Sequence, residues 1–264
     1  MPIVRIENID DARVGDYRNV SDAELLRRRG LFVAEGRLVV ARMLSCGRYP
    51  ARSLLVTDTA LAALGAAVPP DVPVYVCDLQ AMREIVGFNI HRGCLALGVR
   101  RPPAARDHLL AASRLVLVLE AIRDADNVGS IFRNAAALGG DAILLSPGCC
   151  DPLYRKSIRT SMGGALSLPY GWLSEWPEDL DAMAEHGFVR VALTPSPGGT
   201  SIEMMAPAEK RLALVLGNER EGLTAGALAR TDHLVRIPMR PDVDSVNVAT
   251  AAAIALHRLA HGRI

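Results

Sequence analysis

From residue 114 onward the chain carries five runs that are apolar at nearly every position: RLVLVLEA (114–121), DAILLSP (141–147), FVRVALTP (188–195), RLALVLGNE (211–219) and HLVRIPM (233–239). A strand wetted on one side alternates apolar and polar residues, so strands without alternation must be covered on both faces. Helical segments separate the runs. The expected architecture is therefore a doubly wound α/β domain with a parallel sheet and crossover helices. Ligands of such sheets collect beyond the carboxyl ends of the strands. The residues following each run are thus the candidates: Asn127, Thr194, Gly217 to Gly222, and Met239 onward.

A smaller α/β alternation precedes this one. After a polar leader to about Asn19, SDAELLRRRG (21–30) pairs Ser21 with Glu24 as a capping box and stops at Gly30, which predicts a short helix. Strands are expected in LFVAEG (31–36), RSLLVTD (52–58), VPVYVCD (72–78) and GCLALGVRR (93–101), with helices in RLVVARMLSCG, ALAALG and LQAMREIVG between them. The Pro/Arg-rich stretch RRPPAARDH (100–108) marks the boundary, giving an α/β domain over 1–106 and a catalytic domain over 107–264.

With 264 residues, half of them hydrophobic and 22% charged, the chain can bury a sizeable core. Its net charge of +1 divides unevenly. Up to residue 108 there are 15 arginines against 12 acidic residues, a net +3; beyond it 15 basic residues face 17 acidic ones, a net −2. A basic front domain fits a polyanionic partner. Five cysteines without a C-x-x-C pair or a signal-type N-terminus point to free thiols and a cytoplasmic protein. No apolar stretch approaches the ~18 residues of a membrane span, so no membrane association is expected. His257 and His261 have a metal-compatible spacing without a third ligand nearby, and no metal site is expected. Cys149 and Cys150 likewise have no partner pattern.

Neither G-x-x-x-x-G-K-[ST] nor a G-x-G-x-x-G after a strand occurs, which argues against a P-loop enzyme and a dinucleotide oxidoreductase. Three other stretches stand out at strand ends: NVGSIFRNA (127–135), LVLGNEREGL (214–223) and IPMRPDVDSVNVATAAAIAL (237–256). In this order and context they resemble N-x-G-x-x-x-R-x-A, L-x-x-G-N-E-x-x-G-L and I-P-M followed by S-x-N-V-A of the SpoU/TrmH-type RNA ribose 2′-O-methyltransferases of the SPOUT class. The resemblance spans residues 109–264. It implies a sheet threaded as a deep trefoil knot, S-adenosylmethionine held bent by the knot loops, and a homodimer whose site is completed across the interface.

Position by position, the resemblance places the cofactor against Leu193 and Thr194, then Leu216, Gly217 and Asn218, then Ile237, Met239 and Val246. An adenine slot needs flat apolar walls, which Ile237, Met239 and Val246 can supply, and a close backbone, which Gly217 permits. Val246 departs from the family's usual leucine by one methylene. The catalytic candidates are Asn127, Arg133, Glu219, Ser245 and Asn247. The family casts Arg133 as a base, yet a guanidinium with a pKa above ~12 gives up its proton at great cost. A clamp on phosphate and on the developing alkoxide suits its planar donor fork better. A phosphate oxygen, water or Glu219 then takes the proton. Asn127 can hold the loop or the ribose, and Ser245 with Asn247 opens the last helix, as a cap or as a phosphate contact.

In the front domain, Arg27, Arg28 and Arg29 are the RNA-binding candidates, although basic residues ending a helix also favour its dipole. The expected function is S-adenosylmethionine-dependent methylation of a ribose 2′-hydroxyl in ribosomal RNA. Transfer RNA is the alternative substrate, and a noncatalytic RNA-binding protein with a relict cofactor pocket the alternative class.

Overall fold

In the computed structural model, which describes residues 2–18, 21–90, 92–196, 198–205, 211–240 and 242–260, all five residues of Leu115–Leu119 are strand and all are buried. The chain divides into two compact units: residues 1–102 with 152–167, and residues 103–151 with 168–264.

The first unit contains β1 (Ile3–Arg5), α1 (Asp22–Arg29), β2 (Leu31–Glu35), α2 (Arg37–Cys46), β3 (Ala51–Val56), α3 (Asp58–Leu64), β4 (Val74–Val76), α4 (Leu79–Val86) and β5 (Cys94–Val99). Its sheet runs β1-β4-β3-β5-β2, with β5 antiparallel to both neighbours. The predicted cap is present: Ser21 accepts from the Glu24 amide, and Gly30 closes α1 in the left-handed region. The expected polar leader is different in the structure. Residues 3–5 add a parallel edge strand to β4, and Ile6, Val14 and Tyr17 enter the core, where the Tyr17 hydroxyl lies 2.9 Å from Ser53 Oγ. These three positions share no period, so no amphipathic signal announces them.

The second unit begins with α5 (Arg106–Ala112), β6 (Leu115–Leu119), α6 (Ala125–Ala137) and β7 (Ala142–Leu145). Two short helices, α7 (Arg155–Thr160) and α8 (Gly164–Ser167), follow in the chain but belong to the first unit. There Arg155 stacks 3.6 Å from the Phe88 ring and its amide donates to Asp22. The second unit resumes with β8 (Tyr170–Trp172), α9 (Asp179–Glu185), β9 (Phe188–Leu193), β10 (Thr200–Ser201), β11 (Arg211–Leu216), α10 (Ala225–Ala229), β12 (His233–Arg236) and α11 (Val248–Leu259). All seven strands are parallel, in the order β10-β12-β9-β11-β6-β7-β8.

The five runs predicted as strands are β6, β7, β9, β11 and β12; the two short strands β8 and β10 carry no apolar run and went unpredicted. Val116 and Val118 of β6 pack with Leu109, Leu110, Leu180 and Met183 of α5 and α9, while the alternate residues Leu115, Leu117 and Leu119 are equally buried on the other face. α6 and α11 lie side by side, with Asn134 donating to the Ala249 carbonyl at 2.8 Å. No helix among the described residues is long and apolar enough to cross a membrane. No group of His, Cys, Asp and Glu among them could hold a metal; His261 lies outside the described residues.

Candidate active site

β12, β9 and β11 are adjacent parallel strands, so their carboxyl ends open on the same edge of the sheet. The three segments that leave those ends enclose one pocket of about 690 Å³, within the size range of small-molecule sites. After β9 come Leu193 and Thr194, and after β11 Leu216, Gly217 and Asn218. Ile237, Met239 and Val246 follow β12. All eight residues expected to meet a cofactor therefore line this single cavity. Glu219, Ser245 and Asn247 line it as well.

The turn after β11 explains its glycines. Gly222 donates to the Asn218 carbonyl at 2.9 Å and sits at φ +70°, in the left-handed region. A Cβ on Gly217 would fall 2.4 Å from the Gly222 carbonyl carbon and 2.5 Å from the Leu223 nitrogen. Gly217 is thus required by the turn's own backbone. Asn218 is engaged by the protein itself: its Oδ1 accepts from the Arg220 and Glu221 amides and its Nδ2 donates 2.8 Å to the Ala121 carbonyl.

Three of the catalytic candidates meet in one hydrogen-bonded line. Asn247 caps α11, its Oδ1 accepting from the Ala249 amide at 2.9 Å and from that of Thr250 at 3.3 Å. Its Nδ2 donates to Asn127 Oδ1 at 2.8 Å, and Asn127 Nδ2 donates to Glu219 Oε1. Glu219 Oε2 has no hydrogen bond among the described residues and remains an open acceptor. Ser245 is exposed at the pocket and is not the cap. Arg133 stands apart. It is exposed on α6, with no hydrogen bond or ion pair among the described residues, and it does not line the pocket. Six residues of helix rotate it about 240° from Asn127 and advance it about 9 Å.

Sequence reasoning missed Leu223 and Leu228, while Arg220, Glu221 and Asp244 lie inside the strand-end segments it named without being given a role. Glu219, Glu221 and Asp244 outnumber the single guanidinium of Arg220, so the lining is net acidic. That excess was visible within the motifs as the E-R-E of the turn and the D-x-D before Ser245. An apolar cavity with an acidic rim suits a small ligand that combines an aromatic ring with cationic groups.

In the front unit, Arg27 is exposed without a partner among the described residues. Arg28 lies 3.7 Å from Glu24, and Arg29 is paired with Asp16.

Fold and site together define an α/β enzyme that works on a ligand held beyond three neighbouring strand ends. The SpoU rRNA Methylase family model matches residues 114–257. An uncharacterised tRNA/rRNA methyltransferase of Mycobacterium tuberculosis is 41% identical over 255 residues, which is 94% of this chain and 88% of the relative. The 23S rRNA (guanosine(2553)-2′-O)-methyltransferase of Bacillus subtilis is 27% identical over 259 residues, covering 97% and 98%. The crystal structure of an AdoMet-bound rRNA methyltransferase from Sinorhizobium meliloti has the same fold, with a TM-score of 0.83 at 23% identity over 97% of each chain. The chain belongs to the SpoU rRNA methylase family and is an RNA methyltransferase.

Proposed function

We propose that the protein methylates a ribose 2′-hydroxyl of ribosomal RNA, with S-adenosylmethionine bound in the pocket at the ends of β9, β11 and β12. The observation that carries this reading is the convergence of the three motif segments on that cavity. Its residues fit the cofactor. Leu193, Leu216, Ile237, Met239 and Val246 offer apolar walls for adenine, and the carboxylates of Glu219, Glu221 and Asp244 complement a sulfonium and an ammonium. When bound, S-adenosylmethionine supplies an activated methyl group on a sulfonium centre.

The chain's own residues then have separable tasks. Asn127 and Asn247 fix the carboxylate of Glu219, whose open Oε2 receives the hydroxyl proton. Arg133 holds a backbone phosphate and meets the charge growing on the 2′-oxygen, as its unpaired fork allows. Because Arg133 lies off the pocket, it acts on a cofactor bound by a second copy, and the protein works as a homodimer. The same loops carry the trefoil knot. The front unit reads RNA phosphates. Arg37, Arg92 and Arg159 line one pocket of about 290 Å³ in that unit, which supports this role. The protein acts in the cytoplasm on ribosomal RNA in preference to transfer RNA; the B. subtilis relative that matches nearly end to end is a 23S rRNA enzyme.

The test is to incubate the protein with methyl-labelled cofactor and either ribosomal or transfer RNA, then hydrolyse in alkali. A 2′-O-methyl group blocks cleavage of its own phosphodiester, so label is expected in alkali-resistant dinucleotides from ribosomal RNA. Label in mononucleotides would mean base methylation and overturn the ribose assignment.

A further inference from the structure

A buried charge at the end of β6 has no part in the chemistry above. Glu120 is only 3% exposed, and its carboxylate accepts three hydrogen bonds: from Trp176 Nε1 at 2.6 Å, from Thr224 Oγ1 at 2.8 Å and from the Thr224 amide at 3.0 Å. Burying a carboxylate is costly unless donors replace its water, and here they do. The placement is specific. Glu120 grips Thr224, the residue that ends the cofactor turn, while the carbonyl of its neighbour Ala121 accepts from Asn218, the second residue of that turn. The Glu120 amide also donates to the Leu216 carbonyl, one residue before the turn, at 2.8 Å. Two consecutive residues of one segment thus hold both feet of a turn that lines the pocket between them. Neither Glu120 nor Thr224 lines that pocket.

We propose that Glu120 is a positioning residue that sets cofactor affinity by clamping the turn 217–224 through Thr224, without touching the cofactor. The proposal rests on reading the pocket as the S-adenosylmethionine site. A carboxylate is needed because three donors converge on it; a glutamine would turn its own N–H groups toward one of them. Thr224 contributes both its amide and its hydroxyl, and the same Oγ1 caps α10 by accepting from the Ala227 amide at 3.3 Å, so removing the hydroxyl loosens the clamp together with that cap.

The experiment measures S-adenosylhomocysteine affinity by calorimetry on the full chain, together with melting temperature and amide hydrogen exchange across 217–224. Glu120→Gln and Thr224→Val are expected to weaken binding by about tenfold and to speed exchange in the turn, whereas Thr224→Ser, which keeps the hydroxyl, stays within about twofold of the native chain. A purely structural role would lower the melting temperature alone. If Glu120→Gln and Thr224→Val bind as the native chain does, the proposal is wrong and the site reading stands. A native chain that does not bind S-adenosylhomocysteine overturns the site reading and this proposal with it.

Discussion

Asn247 donates a 2.8 Å hydrogen bond from its side-chain amide to Oδ1 of Asn127, 120 residues earlier in the chain. That bond ties the start of α11 to the start of α6, and Asn127 passes the connection on to Glu219. Asn127→Asp keeps the acceptor for Asn247 but sets a second carboxylate against Glu219. Like charges raise a carboxyl pKa, so methylation at neutral pH is expected to fall and to recover as the pH drops and one proton is shared. Rate profiles from about pH 4 to 8 for both proteins test this, since that window starts at the ordinary carboxyl range and runs upward from it. A profile identical to the native one would remove the Asn127–Glu219 contact from the mechanism.

Arg133→Ala is expected to lower methylation by ~10²-fold or more while leaving cofactor affinity nearly unchanged, the pattern of a group that acts on developing charge. Arg133→Lys should rescue little, because an ammonium lacks the planar fork. Single-turnover rates paired with calorimetry separate the two effects, and a native rate in Arg133→Ala would make this a solvated helix residue.

Gly217→Ala is expected to weaken cofactor binding by about tenfold or more, equivalent to 1.4 kcal/mol, with the far-UV circular dichroism retained. Its Cβ would lie within 2.6 Å of three backbone atoms of Gly222 and Leu223, so the turn must open. Unchanged affinity would show that the turn does not shape the pocket.

Asp232 joins β9 to β12: its carboxylate accepts from the Arg190 amide at 2.7 Å and from that guanidinium at 2.8 and 3.1 Å. The side-chain hydrogen bond from Arg190 holds the Asp232 carboxyl below its ordinary value of 3.8. A lowered folded pKa means stability that is present above the unfolded value and lost as the pH falls through the folded one. Asp232→Asn is therefore expected to cost about 1 kcal/mol at pH 7, a figure kept small for solvent screening because the carboxylate is 38% exposed. The difference from the native chain should shrink between pH 7 and about pH 3, as the pH falls toward the lowered folded value. Chemical denaturation at both pH values measures it; a constant difference would rule out the ion pair as its source.

The arginine run divides by partner. Arg29→Ala breaks the pair with Asp16 and is expected to lower the melting temperature. Arg27→Ala removes an unpaired charge and is expected to reduce the salt slope of RNA binding by about one phosphate contact while cofactor binding survives. RNA affinity across several salt concentrations decides this, and an unchanged slope for Arg27→Ala would end its proposed contact with RNA.

The sequence by itself determined the parallel sheet and the segments that form the pocket. Runs such as Leu115–Leu119, apolar without alternation, are stable only when covered on both faces, and a parallel sheet then gathers its ligand residues at the strand ends. For that reason strand ends alone marked the segments that line the pocket, and the resemblance to the SpoU-type enzymes then named the eight cofactor candidates within them. Only the tertiary structure decided what each residue is occupied with. Asn127, Asn218 and Asn247 are all amides next to a helix or turn, and nothing local distinguishes an amide free for substrate from one consumed by a backbone carbonyl 97 residues away or by a side chain 120 residues away. Ile6, Val14 and Tyr17 could not be recognised as core, because three apolar residues without a period acquire an inside only when the sheet beside them exists. Glu120 was legible only as the polar end of an apolar run. Its burial, and the three donors that make that burial tolerable, come from Trp176 and Thr224, residues that approach it only once the strands have been ordered.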